Sequence, residues 1–492
     1  MDYTTSIKNR LLSSNVSPWL VSGMCVALTL FTLARRRKLL VQLPGPPSKS
    51  FNTGHFKEIG GAGGSDFQEH VFSTYGPTVK LNEFLFTLDP TATHSVLVKD
   101  KTNFGNTIGA TLMMRSIFGG GLLGLRGEEH RVHRKVYTLY IYPRLVSSRS
   151  FTVAQSSVHD EMPIFMGIAN QTCKGVKNEL DKAGTSSKEL DVFPWASAAA
   201  LELIGEAGLG YSFNSFSGER NEYNEAAKSV TQISSRLSPV IGILPYIYRI
   251  GTSSFRRWVM QHIPSRIVQQ LLRAVDIQNQ MAREVLQARQ ALLSSGVDLS
   301  SEAGRGRDIM TLLMKANEAE GSEFHIDHQG MIGHMNVFIF AGHETTSTAV
   351  TRMLEVLANH PQIQVQLREE LRRYFEEHTN DTHHDGLLEL PFLDAVVRET
   401  LRFYPPVALI SRACQEDTIL PLEYPVDTPT GKITSIPVKK GTRIFMSAAM
   451  MNRDDRIWGE RSHEFWPERW IGHKVEDVTR PGASLPGVYS SM

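Results

Sequence analysis

An acid beside a hydroxyl, Glu344 next to Thr345, sits in the run Ala341-Gly342-His343-Glu344-Thr345-Thr346. A carboxyl and a hydroxyl facing one spot can relay protons from solvent to a bound ligand, which is general-acid work. Gly342 omits a side chain, so something flat can approach, and Thr345 can hydrogen-bond back to a carbonyl and open a helix locally. Taken alone, Glu-Thr-Thr reads more simply as a cap or a solvent-facing patch. A second pair, Glu399 and Arg402, lies three residues apart on one helix face and can make a charge-assisted contact. The same spacing recurs at Glu128 and Arg131, at Glu369 and Arg372, and at Glu370 and Arg373, so only context distinguishes it. Phe403-Tyr404-Pro405-Pro406 ends that helix abruptly, and Phe465-Trp466-Pro467-Glu468-Arg469-Trp470 brings Arg469, a second guanidinium for one buried carboxylate.

These residues need long elements to hold them. An apolar run containing Val337, Phe338, Ile339 and Phe340 passes into the Glu-Thr-Thr segment. With polar start signals near Asp327 and a stop at His360-Pro361, the pattern predicts a helix of about 30 residues, roughly 45 Å long, enough to cross a domain. Strand-like stretches occur around Thr78 to Leu88 and from Thr430 to Met446, with helix dominant between them. The fold class is therefore mainly α with small β-sheets (α+β), and no repeat divides the body. Loop signals fall at Lys182 to Lys188, Ser294 to Arg307 and Glu376 to Asp385. Leu237 to Ile250, apolar and broken by Pro239 and Pro245, reads either as buried core or as a patch dipping into a membrane.

Composition excludes several classes. The 492 residues carry 52 Lys and Arg against 51 Asp and Glu, so no basic surface for nucleic acid is implied. Three widely spaced cysteines, Cys25, Cys173 and Cys414, argue against a disulfide framework or a metal-cysteine cluster and for a reducing compartment. Trp19 to Ala34 is uncharged and largely apolar, with Arg35, Arg36, Arg37 and Lys38 directly after it. The cations follow the apolar run, which fits an anchor better than a cleaved signal and leaves the body cytosolic. Residues 1–42 are thus expected to be a membrane anchor with a basic stop segment. Residues 43–50, with Leu43-Pro44-Gly45-Pro46-Pro47, form a stiff hinge, and 51–492 one domain.

Together the anchor with its proline hinge, the Ala-Gly-x-Glu-Thr-Thr helix, the Glu-x-x-Arg followed by Pro-Pro and the Phe-x-Pro-Glu-Arg-Trp segment resemble microsomal-type cytochromes P450, with a fungal texture. The resemblance runs from the anchor to Trp470. It implies haem b and insertion of one oxygen atom from dioxygen into an apolar substrate. Electrons would come from NADPH through cytochrome P450 reductase at the endoplasmic reticulum membrane. It further implies that Ala341 and Gly342 lie over the haem, that Glu344 and Thr345 serve oxygen activation and proton delivery, and that Glu399, Arg402 and Arg469 form a structural triad. His130 and Arg134, one turn apart, resemble the pair that binds the haem propionates, although Trp is more usual than His at the first position. Substrate contacts would come from residues between Ile108 and Phe118 and from Val407 to Ile410.

One departure stands out. The family's Phe-x-x-Gly-x-Arg-x-Cys-x-Gly loop, whose thiolate ligates iron and favours O–O cleavage, is not in this sequence, which reads Leu485-Pro486-Gly487-Val488-Tyr489-Ser490-Ser491-Met492 at its end. None of the three cysteines is a credible substitute. The polypeptide as given is therefore expected to be truncated and to have little or no monooxygenase activity. The alternative is a membrane-tethered binding or decoy protein that keeps the fold without haem. Two rival enzyme classes are weaker. Gly119-Gly120-Gly121-Leu122-Leu123-Gly124 has dinucleotide-loop spacing without a flanking βαβ pattern, and His343-Glu344 and His463-Glu464 each lack the second His of a zinc motif.

Overall fold

The computed structural model describes residues 42–47, 55–61, 63–82, 84–140, 151–182, 188–217, 222–237, 241–295, 309–318, 326–378 and 385–480. The expected anchor and most of the three expected polar loops lie outside them. Among the described residues no helix is long and apolar enough to cross a membrane.

The longer helices are α1 (Gly64–Tyr75), α2 (Ile108–Phe118), α3 (Gly127–Tyr140), α4 (Phe151–Asp181), α5 (Phe193–Leu203), α6 (Glu222–Arg236), α7 (Ser253–His262), α8 (Arg266–Ser294), α9 (Ile309–Glu318), α10 (His328–Asn359), α11 (Pro361–Glu377) and α12 (Pro391–Phe403). The strands are β1 (Thr78–Leu81), β2 (Phe84–Thr87), β3 (Phe104–Gly105), β4 (Leu409–Cys414), β5 (Thr418–Thr428), β6 (Gly431–Val438) and β7 (Arg443–Ser447). Five of them form one sheet in the order β1-β2-β7-β4-β3, while β5 and β6 pair separately. Only β2 and β7 run parallel, because the whole helical body separates them in sequence, and the other pairings are antiparallel. The hinge docks on this sheet rather than standing free. Pro44 accepts from the Lys80 N–H at 2.8 Å, and a side chain at Gly45 would sit 2.0 Å from the Lys80 carbonyl.

The α10 helix, 32 residues long, is the axis of the fold. It starts because the Asp327 carboxylate accepts from Gly330 N–H at 2.7 Å, satisfying one of the open donors of the first turn. It ends at His360, where Pro361 cannot continue the ladder and begins α11 instead. Met331, Ile332, Met335 and Ile339 on α10 share a buried cluster with Leu201 of α5 and with Ala282, Val285 and Leu286 of α8. A second cluster joins Met113, Ile117 and Phe118 of α2 to Ala226 and Val230 of α6 and to Val337. Apolar burial of this kind stabilises by about 25 cal/mol per Å², and here it seats α10 between its neighbours.

The triple glycine has a packing explanation. A side chain at Gly121 would lie 2.1 Å from the Gly333 carbonyl, and one at Gly333 would lie 2.3 Å from the Gly121 nitrogen. The glycines let a loop touch α10 backbone to backbone, which accounts for the spacing without any nucleotide. The expectation for Leu237 to Ile250 divides. Leu237, Ile241 and Leu244 pack on the α2–α6 cluster, whereas Ile243, Tyr246, Ile247 and Ile250 are exposed.

Candidate active site

The α10 helix changes character at its middle. Residues 330–337 are buried all round, but Ala341 is exposed, and Gly342, Glu344 and Thr345 are half open, while His343 and Ser347 stay buried on the opposite side. Thr345 Oγ1 donates to the Ala341 carbonyl at 2.7 Å, so hydroxyl and carbonyl share the open face. The helix is nevertheless unbroken from His328 to Asn359, so the expected local opening does not occur. A back-bonding threonine can be accommodated by the regular i to i−4 geometry. At Gly342 an added Cβ would meet the Ile204 side chain, just beyond α5, at 2.9 Å. Ala341 and Thr345 present the small-residue face.

The α3 helix carries His130 and Arg134. Burial first, then the charges of Arg134 and His133, push the His130 imidazole below its ordinary range, so the pair lies within electrostatic reach and His130 is neutral at physiological pH. Arg134 is exposed. This helix is tied to α10 by ring nitrogens, His133 Nδ1 to His334 Nε2 at 2.8 Å. His334 is fully buried, and desolvation brings its pKa down to about 3.

Sequence reasoning missed Arg412. It sits half-buried on β4 opposite Ile444, and its guanidinium reaches only Asn106 Oδ1 at 3.3 Å and the Ser411 carbonyl at 2.9 Å. Burial alone lowers its pKa, and among the described residues it meets no carboxylate. Arg126, just before α3, donates to Gln415 at 3.3 Å and so ties the start of that helix to the end of β4. An arginine inside the β4 strand, two residues past the Val407 to Ile410 stretch, was the available signal. Val407 is exposed and Leu409 and Ile410 are half-buried; on α2, Gly109, Thr111, Met113, Ile117 and Phe118 are buried and Ile108 is exposed.

Glu399, Arg402 and Arg469 do come together. Arg402 Nε and Nη2 donate to the two Glu399 oxygens at 2.8 Å each, and Arg469 Nε adds a bond at 3.2 Å. Trp470 Nε1 at 2.9 Å and the Trp466 N–H at 2.8 Å complete the shell around a carboxylate with no exposure. Arg402 also donates to the carbonyls of Asn452, Ser462 and Glu464. The other Glu-x-x-Arg matches do different work: Glu128 and Arg131 pair on the surface, and Glu370 caps α12 by accepting from Phe392 and Leu393 N–H at 2.9 and 2.8 Å.

The open face of α10 and the guanidinium of Arg412, which meets no carboxylate among the described residues, would suit a planar group bearing carboxylates, as haem does. Ala341 and Thr345 would lie against the plane, with Arg412, Arg134 and His130 as carboxylate donors. No described cysteine suits the iron. Cys414 is buried among Leu420, Val438 and Ile444, its thiol raised by that burial and donating to the Glu416 carbonyl, and Cys173 is exposed on α4. Among the described residues, no group of three or more His, Cys, Asp or Glu could hold a metal ion.

Comparison with known proteins identifies the family. The sequence profile of the cytochrome P450 family matches residues 44–486. Cytochrome P450 monooxygenase 91 of Postia placenta is 34% identical over 92% of this chain and 82% of its own length. Cytochrome P450 monooxygenase 81 of the same fungus is 34% identical over 98% and 86%. Ganoderic acid synthetase CYP5150L8 of Ganoderma lucidum is 34% identical over 93% and 82%. With a profile spanning nearly all of the helical body and fungal relatives aligned from end to end of it, the chain belongs to the cytochrome P450 family and is by family a haem-dependent monooxygenase.

Proposed function

We propose that the protein inserts one oxygen atom of dioxygen into an apolar organic substrate, using NADPH-derived electrons passed on by a membrane-bound cytochrome P450 reductase. The observation that carries this reading is the open Ala341–Thr345 face of α10 with Glu344 beside it. Bound haem supplies the dioxygen chemistry. The chain's own part is to orient and to move protons: Thr345 Oγ1 is held at 2.7 Å from the Ala341 carbonyl, and half-exposed Glu344 connects that hydroxyl to solvent. Arg412, Arg134 and His130 hold the carboxylates. Glu399, Arg402 and Arg469 organise the opposite side. The substrate lies between α2 and Val407 to Ile410, whose side chains are largely apolar.

An endoplasmic reticulum membrane is the proposed location, with residues 1–42 as anchor, 43–50 as hinge and 51–492 as the cytosolic domain. A second contact supports it. The α7 helix buries no residue and exposes Phe255, Trp258 and Val259, with Arg256 and Arg257 interleaved, an interfacial pattern. It continues the exposed Ile243, Ile247 and Ile250.

The test uses membranes containing the protein, the reductase and NADPH, given isotopically labelled dioxygen and a panel of apolar small molecules. One labelled oxygen atom per product is expected, and label entering from water instead would overturn the reading. The alternative is a membrane-tethered binding or decoy protein that keeps the fold without haem. A reduced, carbon-monoxide-treated sample of the same membranes decides it: a thiolate-type difference band supports the monooxygenase, and a sample that takes up no haem supports the alternative.

A further inference from the structure

Three helices meet at one buried hydroxyl. Ser197 of α5, fully buried, donates its only hydrogen to Asn224 Oδ1 of α6 at 3.1 Å. Its oxygen also lies 2.8 Å from His343 Nε2 of α10. Because the hydroxyl proton is committed to Asn224, the Ser197–His343 bond needs its proton from the ring. His343 is therefore the Nε2–H tautomer. Among the described residues its buried Nδ1 has no hydrogen-bond partner. The ring is uncharged as well, since burial and then nearby Lys228 bring its pKa down to about 4.

His343 directly precedes Glu344 and Thr345, and successive residues turn by about 100° around a helix. It thus occupies the back of the turn whose front is the Ala341–Thr345 face. Asn224 begins the stretch of α6 whose Ala226 and Val230 pack on Met113, Ile117 and Phe118 of α2, a wall of the proposed substrate pocket. The chain Asn224–Ser197–His343 therefore joins the pocket wall to the proton-delivery turn. Packing alone does not set such a link, since a neutral donor and acceptor of fixed tautomer accept one rotation of α10.

We propose that His343 is a positioning residue, which through Ser197 and Asn224 fixes the rotation of α10 that presents Glu344 and Thr345 and couples it to the placement of α6. This rests on the reading of Glu344 and Thr345 as the proton-delivery pair. His343 itself touches no substrate.

The experiment compares Ser197→Ala, His343→Leu and His343→Gln in the holoprotein with reductase, NADPH and dioxygen. Two quantities are read: peroxide released per NADPH consumed, and amide hydrogen exchange in residues 222–230 and 341–347. Gln keeps an N–H near the position of Nε2, so it serves as the conservative rescue, and Ser197→Ala is small enough to leave the fold intact. Ser197→Ala and His343→Leu are expected to speed exchange in both segments about tenfold, the opening equilibrium of one buried hydrogen bond. They should also raise the peroxide ratio about threefold, with His343→Gln restoring most of both. Unchanged exchange at 341–347 in Ser197→Ala and His343→Leu overturns the link. Faster exchange with an unchanged peroxide ratio supports the link and overturns the proton-delivery reading beneath it.

Discussion

Glu399 and Arg402, three residues apart on α12, face each other through two bonds of 2.8 Å where neither has any exposure to solvent. Removing one member leaves a buried charge without its partner, which costs about 3–5 kcal/mol. Glu399→Ala strands two guanidiniums and the Trp470 indole N–H as well, so its loss of stability should exceed that of Arg469→Leu, which gives up one bond to Glu399 at 3.2 Å and one to the Arg461 carbonyl. Urea unfolding measures both. A Glu399→Ala midpoint within experimental error of wild type would show that the shell repairs itself.

The contact between the glycine loop and α10 predicts opposite signs for one substitution type. Gly121→Ala and Gly333→Ala push a methyl into backbone at 2.1 and 2.3 Å, and overpacking of this sort costs about 1–3 kcal/mol or more. Gly167→Ala, inside α4 with nothing within 4 Å, should stabilise by about 0.5–1 kcal/mol through helix propensity. The Gly121→Ala and Gly333→Ala double variant should lose less than the sum, because both break one contact. Full additivity in thermal unfolding would deny that the two glycines meet.

Two buried imidazoles set an acid limit. The folded-state pKa falls from 6.5 to about 3 at His334 and to about 4 at His343, in both cases chiefly through burial. Below 6.5 the unfolded chain binds protons that the folded chain refuses. Stability is therefore complete above that pH and declines as pH falls toward the folded values, each histidine adding a slope approaching about 1.4 kcal/mol per pH unit. Between pH 7.5 and 5.5, His343→Gln should lose about 1.4 kcal/mol less stability than wild type. Equal pH dependence in the two proteins would place the titration elsewhere.

Much of this was legible because it is written in local spacing. The Asp327 start and Pro361 stop bound α10 by capping and proline chemistry, and Glu399 with Arg402 need only a helix to meet. The reasons behind some residues were not local. The packing at Gly342 is one such case, since Ile204, whose side chain a Cβ there would meet at 2.9 Å, lies more than a hundred residues away in sequence. Likewise the glycine triplet imitates a nucleotide loop until α10 is found against it. The hydroxyl of Ser197 carries no motif at all, since its partners lie on two other helices. Exposure of α7 was equally hidden, because an apolar stretch looks the same whether it meets core or lipid.

Arg412 offers the sharpest test of the proposed haem contacts, because its proposed role and its structural contribution separate. A charge-assisted bond to a carboxylate contributes about 1.5–3 kcal/mol, so Arg412→Leu should weaken haem retention by about tenfold or more. Arg412→Lys should recover only part of it, since the ammonium keeps the charge but loses the planar fork. His130→Leu should matter less, because its imidazole is held neutral by burial and by Arg134. Folding should hardly respond: among the described residues Arg412 donates only to Asn106 and to the Ser411 carbonyl, so the unfolding free energy should change by no more than about 1 kcal/mol. The measurement is the haem-to-protein ratio after dialysis, alongside urea unfolding. Full haem content in Arg412→Leu would remove this residue from the site, and a fall in haem content matched by a fall in stability would make its role structural.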